Sequence, residues 1–154
     1  MKKVAIDCEM VEGYSKKLLA RVSIVNDSGD VIYNEYVQQN DVKNYLECIT
    51  GINAAILRSE GIPFIVVQRE VAKLINGHIL VGHDLRADLE ALGLTHPVDK
   101  IIDTYKIKPY SSHPTPSLKF LAKHYLGKNI QQGVHDSVED ARTAMELCLR
   151  VYPK

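Results

Sequence analysis

The chain has 154 residues, 19 basic and 19 acidic side chains, zero net charge and 45% hydrophobic residues. That length buries one ordinary core without disulfides or a structural metal. No apolar run approaches the ~20 residues that cross a bilayer, and the basic start has no cleavable leader behind it, so no membrane role is expected. Residues 4–8, apolar and partly β-branched, predict a strand buried on both faces. Residues 19–26 and 31–37 predict two more, joined by an Asn-Asp-Ser-Gly-Asp turn in which Gly29 supplies positive φ. Helical periodicity follows over residues 53–58 and then over 64–75, the second helix starting after Pro63 and stopping before Asn76-Gly77. Residues 79–81 return to strand. Asp84 is expected to cap a helix running to Leu92 and closed by Gly93. Residues 100–103 make a fifth strand, and Pro114 and Pro116 break the chain. Ser117 caps a helix through about Tyr125, ended by Gly127, and the last helix spans 137–151. This order predicts a single α/β domain over 1–154: a mixed five-stranded sheet, three N-terminal strands antiparallel and two parallel, with helices on both faces. Ligands of such sheets gather beyond the carboxyl ends of the parallel strands.

Charge is unevenly spread. Between Lys100 and Gln131 there are six lysines (100, 106, 108, 119, 123 and 128) and one acid, Asp103, together with Tyr105, Tyr110, Phe120 and Tyr125. Lysines interleaved with aromatics suit a single-stranded nucleic acid; a wet helix face over core tyrosines is the plainer alternative. Cys8, Cys48 and Cys148 form no CxxC or Cys/His cluster, so no zinc site is expected. Cys8 and Cys148 read as small core residues, and a reducing intracellular setting fits best.

Acidic residues carry the chemical signal. Asp7 and Glu9 alternate along the first strand and so project from one face, Cα atoms roughly 6.5 Å apart. Two carboxylates beside a core repel each other unless a cation compensates, although past a strand end they can simply be wet. Asp88 lies one turn inside the helix of GHDLRADLEALG, bordering its apolar stripe. His135 and Asp140 sit in GVHDSVEDARTAMEL, where Ser137 and Asp140 also have the spacing of a capping pair. Together these residues match what two-metal phosphodiester cleavage needs: carboxylates converging from several segments on hard divalent cations, and a histidine able to take a proton from water.

At this point the chain resembles the DEDDh exonuclease family, whose ribonuclease H-like fold is shared by DnaQ-type proofreading exonucleases, RNase T and oligoribonuclease. The resemblance rests on AIDCEMVEG, LARVSIVN, LVGHDLRADLEAL, IIDTYKIKPY, SLKFLAKHYLG and IQQGVHDSVEDARTAMEL, nearly the whole chain. Within the family, the CEMV continuation and the IQxGxHxSVEDA-like ending resemble the eukaryotic RNA exonucleases of ribosome production and the interferon-stimulated antiviral exonuclease. The resemblance places the family's acids on Asp7, Glu9, Asp88 and Asp140 and its general base on His135. It implies two Mg²⁺ or Mn²⁺ ions, with Asp7 bridging both, Glu9 and Asp140 holding the one that carries the attacking water, and Asp88 positioning the other. It also implies release of nucleoside 5′-monophosphates from a 3′ end.

Met10 is a candidate wedge against the terminal base, with core packing as the alternative. Arg21 and Arg58 are candidate contacts to phosphate or base, or surface ion pairs. His83 and Asp84 read as structural, and no metal role follows for Asp103. Asp136, beside His135, adds a negative charge that favours imidazolium and predicts a somewhat alkaline activity optimum. Single-stranded RNA is the expected partner. The alternatives are DNA, or a catalytically idle domain that binds RNA or protein. Oligomeric state and the choice between nucleus, nucleolus and cytoplasm are not legible.

Overall fold

In the computed structural model, which describes residues 1–154, strands β1 (Lys3–Gly13), β2 (Lys17–Asn26) and β3 (Val31–Tyr36) form the expected antiparallel meander. Strand β4 (Val42–Asn44) and the helices α1 (Glu47–Thr50), α2 (Ala54–Glu60) and α3 (Phe64–Ile75) follow. Next come β5 (Ile79–Gly82), α4 (Leu85–Leu92), β6 (Ile101–Asp103), α5 (Leu118–Leu121) and α6 (Ser137–Val151). A π-helical turn, Ala122–Leu126, extends α5 to Gly127, whose positive φ ends it. The sheet order is β3-β2-β1-β5-β6, with β5 and β6 parallel to β1 and to each other.

Two sequence expectations need correction. The sheet has six strands rather than five, because β4 pairs with the far end of β1. Three residues are too short to show periodicity, and β1 itself runs past Cys8 to Gly13, so Asp7 and Glu9 stand within a strand and not at its end. The helix caps also differ. Asp84 sits at the start of α4 in the left-handed region (φ 59) and makes no side-chain cap. Asp103, at the end of β6, accepts instead from the backbone N–H groups of Asp84 (2.8 Å) and Leu85 (3.0 Å). At α6 the capping side chain is Asp136, which accepts from Val138 N at 3.0 Å. Ser137 Oγ turns inward to Ser23 Oγ, 2.7 Å away and fully buried.

Alternation along β1 builds the two faces. Val4, Ile6 and Cys8 pack with Val67, Val71 and Ile75 of α3 and Leu85 and Leu92 of α4. Ala5 faces the other way, against Ala141, Ala144, Met145 and Cys148 of α6. Small residues on both sides of that contact bring α6 close to the sheet. Asp7 and Glu9 share the face of Ala5 and so meet the first turn of α6. No helix is long and apolar enough to cross a membrane.

Candidate active site

Strand alternation and the close approach of α6 make the site. Carboxylate oxygens of Asp7, Glu9 and Asp140 lie within 4.8 Å of one another. A cavity of about 290 Å³ is lined by Asp7, Glu9, Asp140 and His135, with Cys8, His83, Ser117, Leu118 and Gln131 completing its wall. Asp88, on α4, lines no part of this cavity and is not one of the three clustered carboxylates, but its charge reaches Asp7 from the neighbouring helix, which starts beside β1. Gly82 makes that approach possible, since a Cβ there would stand 2.4 Å from Leu85 Cδ2 and 3.2 Å from Ile6 O. Asp88 is buried, with Cys8 donating to it through its backbone N–H and thiol.

The acids destabilise one another's charged forms. Burial, then the charges of Asp88, Asp140 and Glu9, hold Asp7 well above the usual carboxylate range, against the opposing pull of Arg21. Burial likewise raises Asp88, partly offset by its hydrogen bonds from Cys8. Glu9 is pushed up to about 7 by burial and Asp140, and Asp140 to about 6 by burial, opposed by its hydrogen bond from Gln131. Asp140 Oδ2 accepts from Gln131 Nε2 at 3.1 Å, while Asp140 Oδ1 is buried with no hydrogen-bond partner. An orphaned carboxylate oxygen among like charges is a group that a cation would satisfy. All the donors are hard oxygens, the set that Mg²⁺ and Mn²⁺ prefer. The residues therefore fit a divalent metal centre.

His135 is held by its backbone. Its N–H donates to Ile49 O at 2.7 Å. Beside that bond Gly51 (φ 68) closes α1, and a Cβ on it would stand 2.7 Å from Val134 Cγ1. Helix α1 thus clamps the loop that carries the histidine. Asp136 is also engaged elsewhere: besides capping α6 it pairs with Arg21 at 3.1 Å.

The remaining candidates separate clearly. Arg21 is mostly buried; it donates to Asn34 Oδ1 at 3.0 Å and lies over the Tyr36 ring, so it braces the loop before α6. Arg58 is exposed on α2 and lines no part of the cavity. Met10 packs partly on the core and lines a neighbouring cleft of about 320 Å³ with Lys16, Lys17, Ala87, Glu90 and Ala91. Sequence reasoning passed over three wall residues. Gln131 stands in the left-handed region (φ 57), with its N–H donating to Glu139 Oε1 at 3.2 Å. Its only sequence signal was its place in the IQQGVH run. His83, read as structural, bonds Thr104 Oγ1 through Nδ1 (2.8 Å) yet also lines the cavity, and burial lowers its pKa. Ser117 both caps α5 and faces the acids.

A mixed sheet with carboxylates gathered over its central strand defines the ribonuclease H-like class of metal-dependent nucleases. The exonuclease family model (RNase_T) matches residues 4–148, and the chain belongs to that family. Relatives named RNA exonuclease 4 include one from Gibberella zeae, 47% identical over 95% of this chain and 48% of its own length. The mouse protein of that name is 44% identical over 97% of this chain and 36% of its own length. The chain thus spans between a third and a half of these relatives. Among solved structures, the Neurospora crassa Pan2 catalytic unit (protease and nuclease domain) superimposes with a TM-score of 0.87 at 29% identity, covering 98% of this chain and 27% of that one. The Saccharomyces cerevisiae Pan2 pseudoubiquitin hydrolase–RNA exonuclease module in complex with AAGGAA RNA gives 0.85 at 32% identity, covering 98% and 28%.

Proposed function

We propose that the chain is a metal-dependent 3′→5′ exonuclease module that hydrolyses single-stranded RNA to nucleoside 5′-monophosphates. The observation that supports this is the gathering of Asp7, Glu9, Asp140 and His135 on one cavity, with Asp88 close enough to act on Asp7 and one carboxylate oxygen left unpartnered. Asp7, Glu9, Asp88 and Asp140 would hold two Mg²⁺ or Mn²⁺ ions. Bound there, the ions neutralise the scissile phosphate and acidify a water.

The protein's own groups do the rest. Met10, with Ala87 and Ala91, offers an apolar seat for the terminal base, and Lys16 and Lys17 lie beside it as phosphate partners. His135 accepts the proton of the attacking water. The new bond joins that water's oxygen to phosphorus. The bond to the preceding nucleotide's O3′ breaks, and that oxygen is protonated as it leaves. His83 and Leu118 wall the reacting centre from bulk solvent. RNA is favoured over DNA by the relatives' names and by the RNA seen with the yeast Pan2 module.

Digestion of 5′-labelled single-stranded RNA, beside matched DNA, with Mg²⁺ or Mn²⁺ tests the reading. The expected result is a ladder shrinking from the 3′ end, faster on RNA, and lost in EDTA or with Asp7→Asn. Cleavage of neither polymer, with Asp7→Asn indistinguishable from the parent, would leave a binding domain.

A further inference from the structure

The lysine- and aromatic-rich segment remains unexplained by the chemistry above. From Thr104 to His135 the sequence contains no Asp or Glu. Tyr110 does the core's work here: it is fully buried, its hydroxyl donates to Leu147 O at 2.6 Å, and Tyr125 packs edge-on against it. His113 bonds the Tyr125 hydroxyl through Nε2 at 2.7 Å. Phe120 and His124 extend this cluster to the surface, His124 packing edge-on against Tyr125 (4.8 Å) and His113 (5.1 Å). Their rings are stacked, 5.3 Å apart and 17° from parallel, and His113 supports Phe120 edge-on at 5.0 Å. Phe120 remains 39% exposed, so a large ring braced by its neighbours stays open to solvent.

Cations flank the pair. Lys119 and Lys123 are exposed on the same stretch of helix, and neither has a carboxylate within ion-pairing distance, whereas Lys128 is neutralised by Glu146 at 2.6 Å. The ledge also begins at the active site. Ser117 and Leu118 line the carboxylate cavity, and Phe120 N–H donates to Ser117 Oγ at 3.1 Å. Phe120 is therefore about one helical turn, ~5 Å, beyond the cavity wall, and His124 about a turn further. The cleft of Met10 adjoins the cavity at the Glu9–Met10 step and shares no lining residue with it. A strand whose last nucleotide occupied that cleft would have to cross the carboxylate cavity, whose lining includes Ser117 and Leu118.

We propose that Phe120 and His124, flanked by Lys119 and Lys123, form a second subsite that stacks bases upstream of the scissile phosphate. The subsite makes the enzyme prefer longer single strands to dinucleotides. It rests on the exonuclease reading above. Stacked rings beside unpaired cations are what sequence-independent single-strand binding uses, and every RNA base offers a face to them.

The test compares kcat/KM on a single-stranded RNA octamer with that on a dinucleotide, which is too short to reach the ledge, for the parent, Phe120→Ala/His124→Ala, Phe120→Leu and Phe120→Trp. Anisotropy of the labelled octamer with Ca²⁺ gives binding directly, and thermal melts confirm folding. The octamer-to-dinucleotide ratio should fall on the order of ten-fold in the double variant, mainly through KM, which is what loss of a stacked base does. It should fall less in Phe120→Leu and be kept in Phe120→Trp, with octamer affinity moving in parallel. An unchanged ratio and affinity in folded variants would overturn the subsite and leave the ledge to a protein partner. A parent that cleaves neither substrate would overturn the exonuclease reading, and this inference with it.

Discussion

Raising the pH of the cation-free protein from about 5 to about 8 should destabilise it, and Mg²⁺ should restore at pH 8 what the pH change removed. Glu9 moves from 4.5 to about 7 and Asp140 from 3.8 to about 6 on folding. Both native values exceed the unfolded ones, so the native state holds the extra protons. The stabilisation is complete below about pH 4 and is lost as the pH rises through 6 to 7. Each shift corresponds to about 3 kcal/mol. Between pH 5 and 8, where the unfolded carboxyls are already largely ionised, about 4 kcal/mol of this is lost for the two together; allowing half for solvent screening and mutual coupling leaves about 2 kcal/mol, or a fall in Tm of about 4–8 °C for a chain of this size. Asp7 and Asp88 act in the same direction. A bound divalent cation compensates the same charges that the protons do, so its stabilisation should be large at pH 8 and small at pH 5. Circular-dichroism melts in EDTA and in Mg²⁺ at the two pH values provide the measurement. Equal Tm at both pH values in EDTA, or equal stabilisation by Mg²⁺ at both, would refute the reasoning.

Three further outcomes follow from the same geometry. Asp103→Ala removes the acceptor of the Asp84, Leu85 and Tyr105 N–H groups; it should cost about 2–3 kcal/mol in urea unfolding and reduce activity through the misplaced Asp88. Gly51→Ala forces a methyl group onto Val134; kcat should drop while Mg²⁺ affinity, read by calorimetry, holds, and adding Val134→Ala should recover part of the loss. Ser23→Ala strands the buried Ser137 hydroxyl and should cost about 1–2 kcal/mol, whereas Ser137→Ala leaves the Ser23 hydroxyl donating to Asn34 Oδ1 at 3.0 Å and should cost less. The double variant should cost less than the two together, whereas simple additivity would show that the 2.7 Å hydrogen bond contributes nothing.

Much of this was readable in the chain because it depends on local pattern. The apolar runs within β1 and β2, the proline and Asn-Gly that bracket α3, and the extent of α6 are statements about neighbours in sequence. Asp7, Glu9, Asp88, His135 and Asp140 stood out for the same reason: acids beside apolar runs signal an environment that charge ordinarily avoids. What escaped depends on distant segments meeting. Asp84 has the right residue type for a cap, yet the capping carboxylate arrives from Asp103 on another strand. Asp136 reads only as a neighbour of His135, yet it is paired with Arg21, more than a hundred positions away. Gln131 and the α1 clamp carry no periodic signal at all. Their positive-φ backbone and the contact of Gly51 with Val134 exist only in the folded chain.

The Ser23–Ser137 hydrogen bond joins residues 114 positions apart, and Asp7 and Asp140 meet only where the sheet and the last helix close on each other. A chain that is only partly folded carries every one of the five side chains and has no active centre. Lifting α6 away, a local opening that leaves the sheet's own pairing intact, has the same effect. On the proposed function, hydrolytic power arrives in one step with the native state, and a half-folded copy is inert rather than weakly and indiscriminately active.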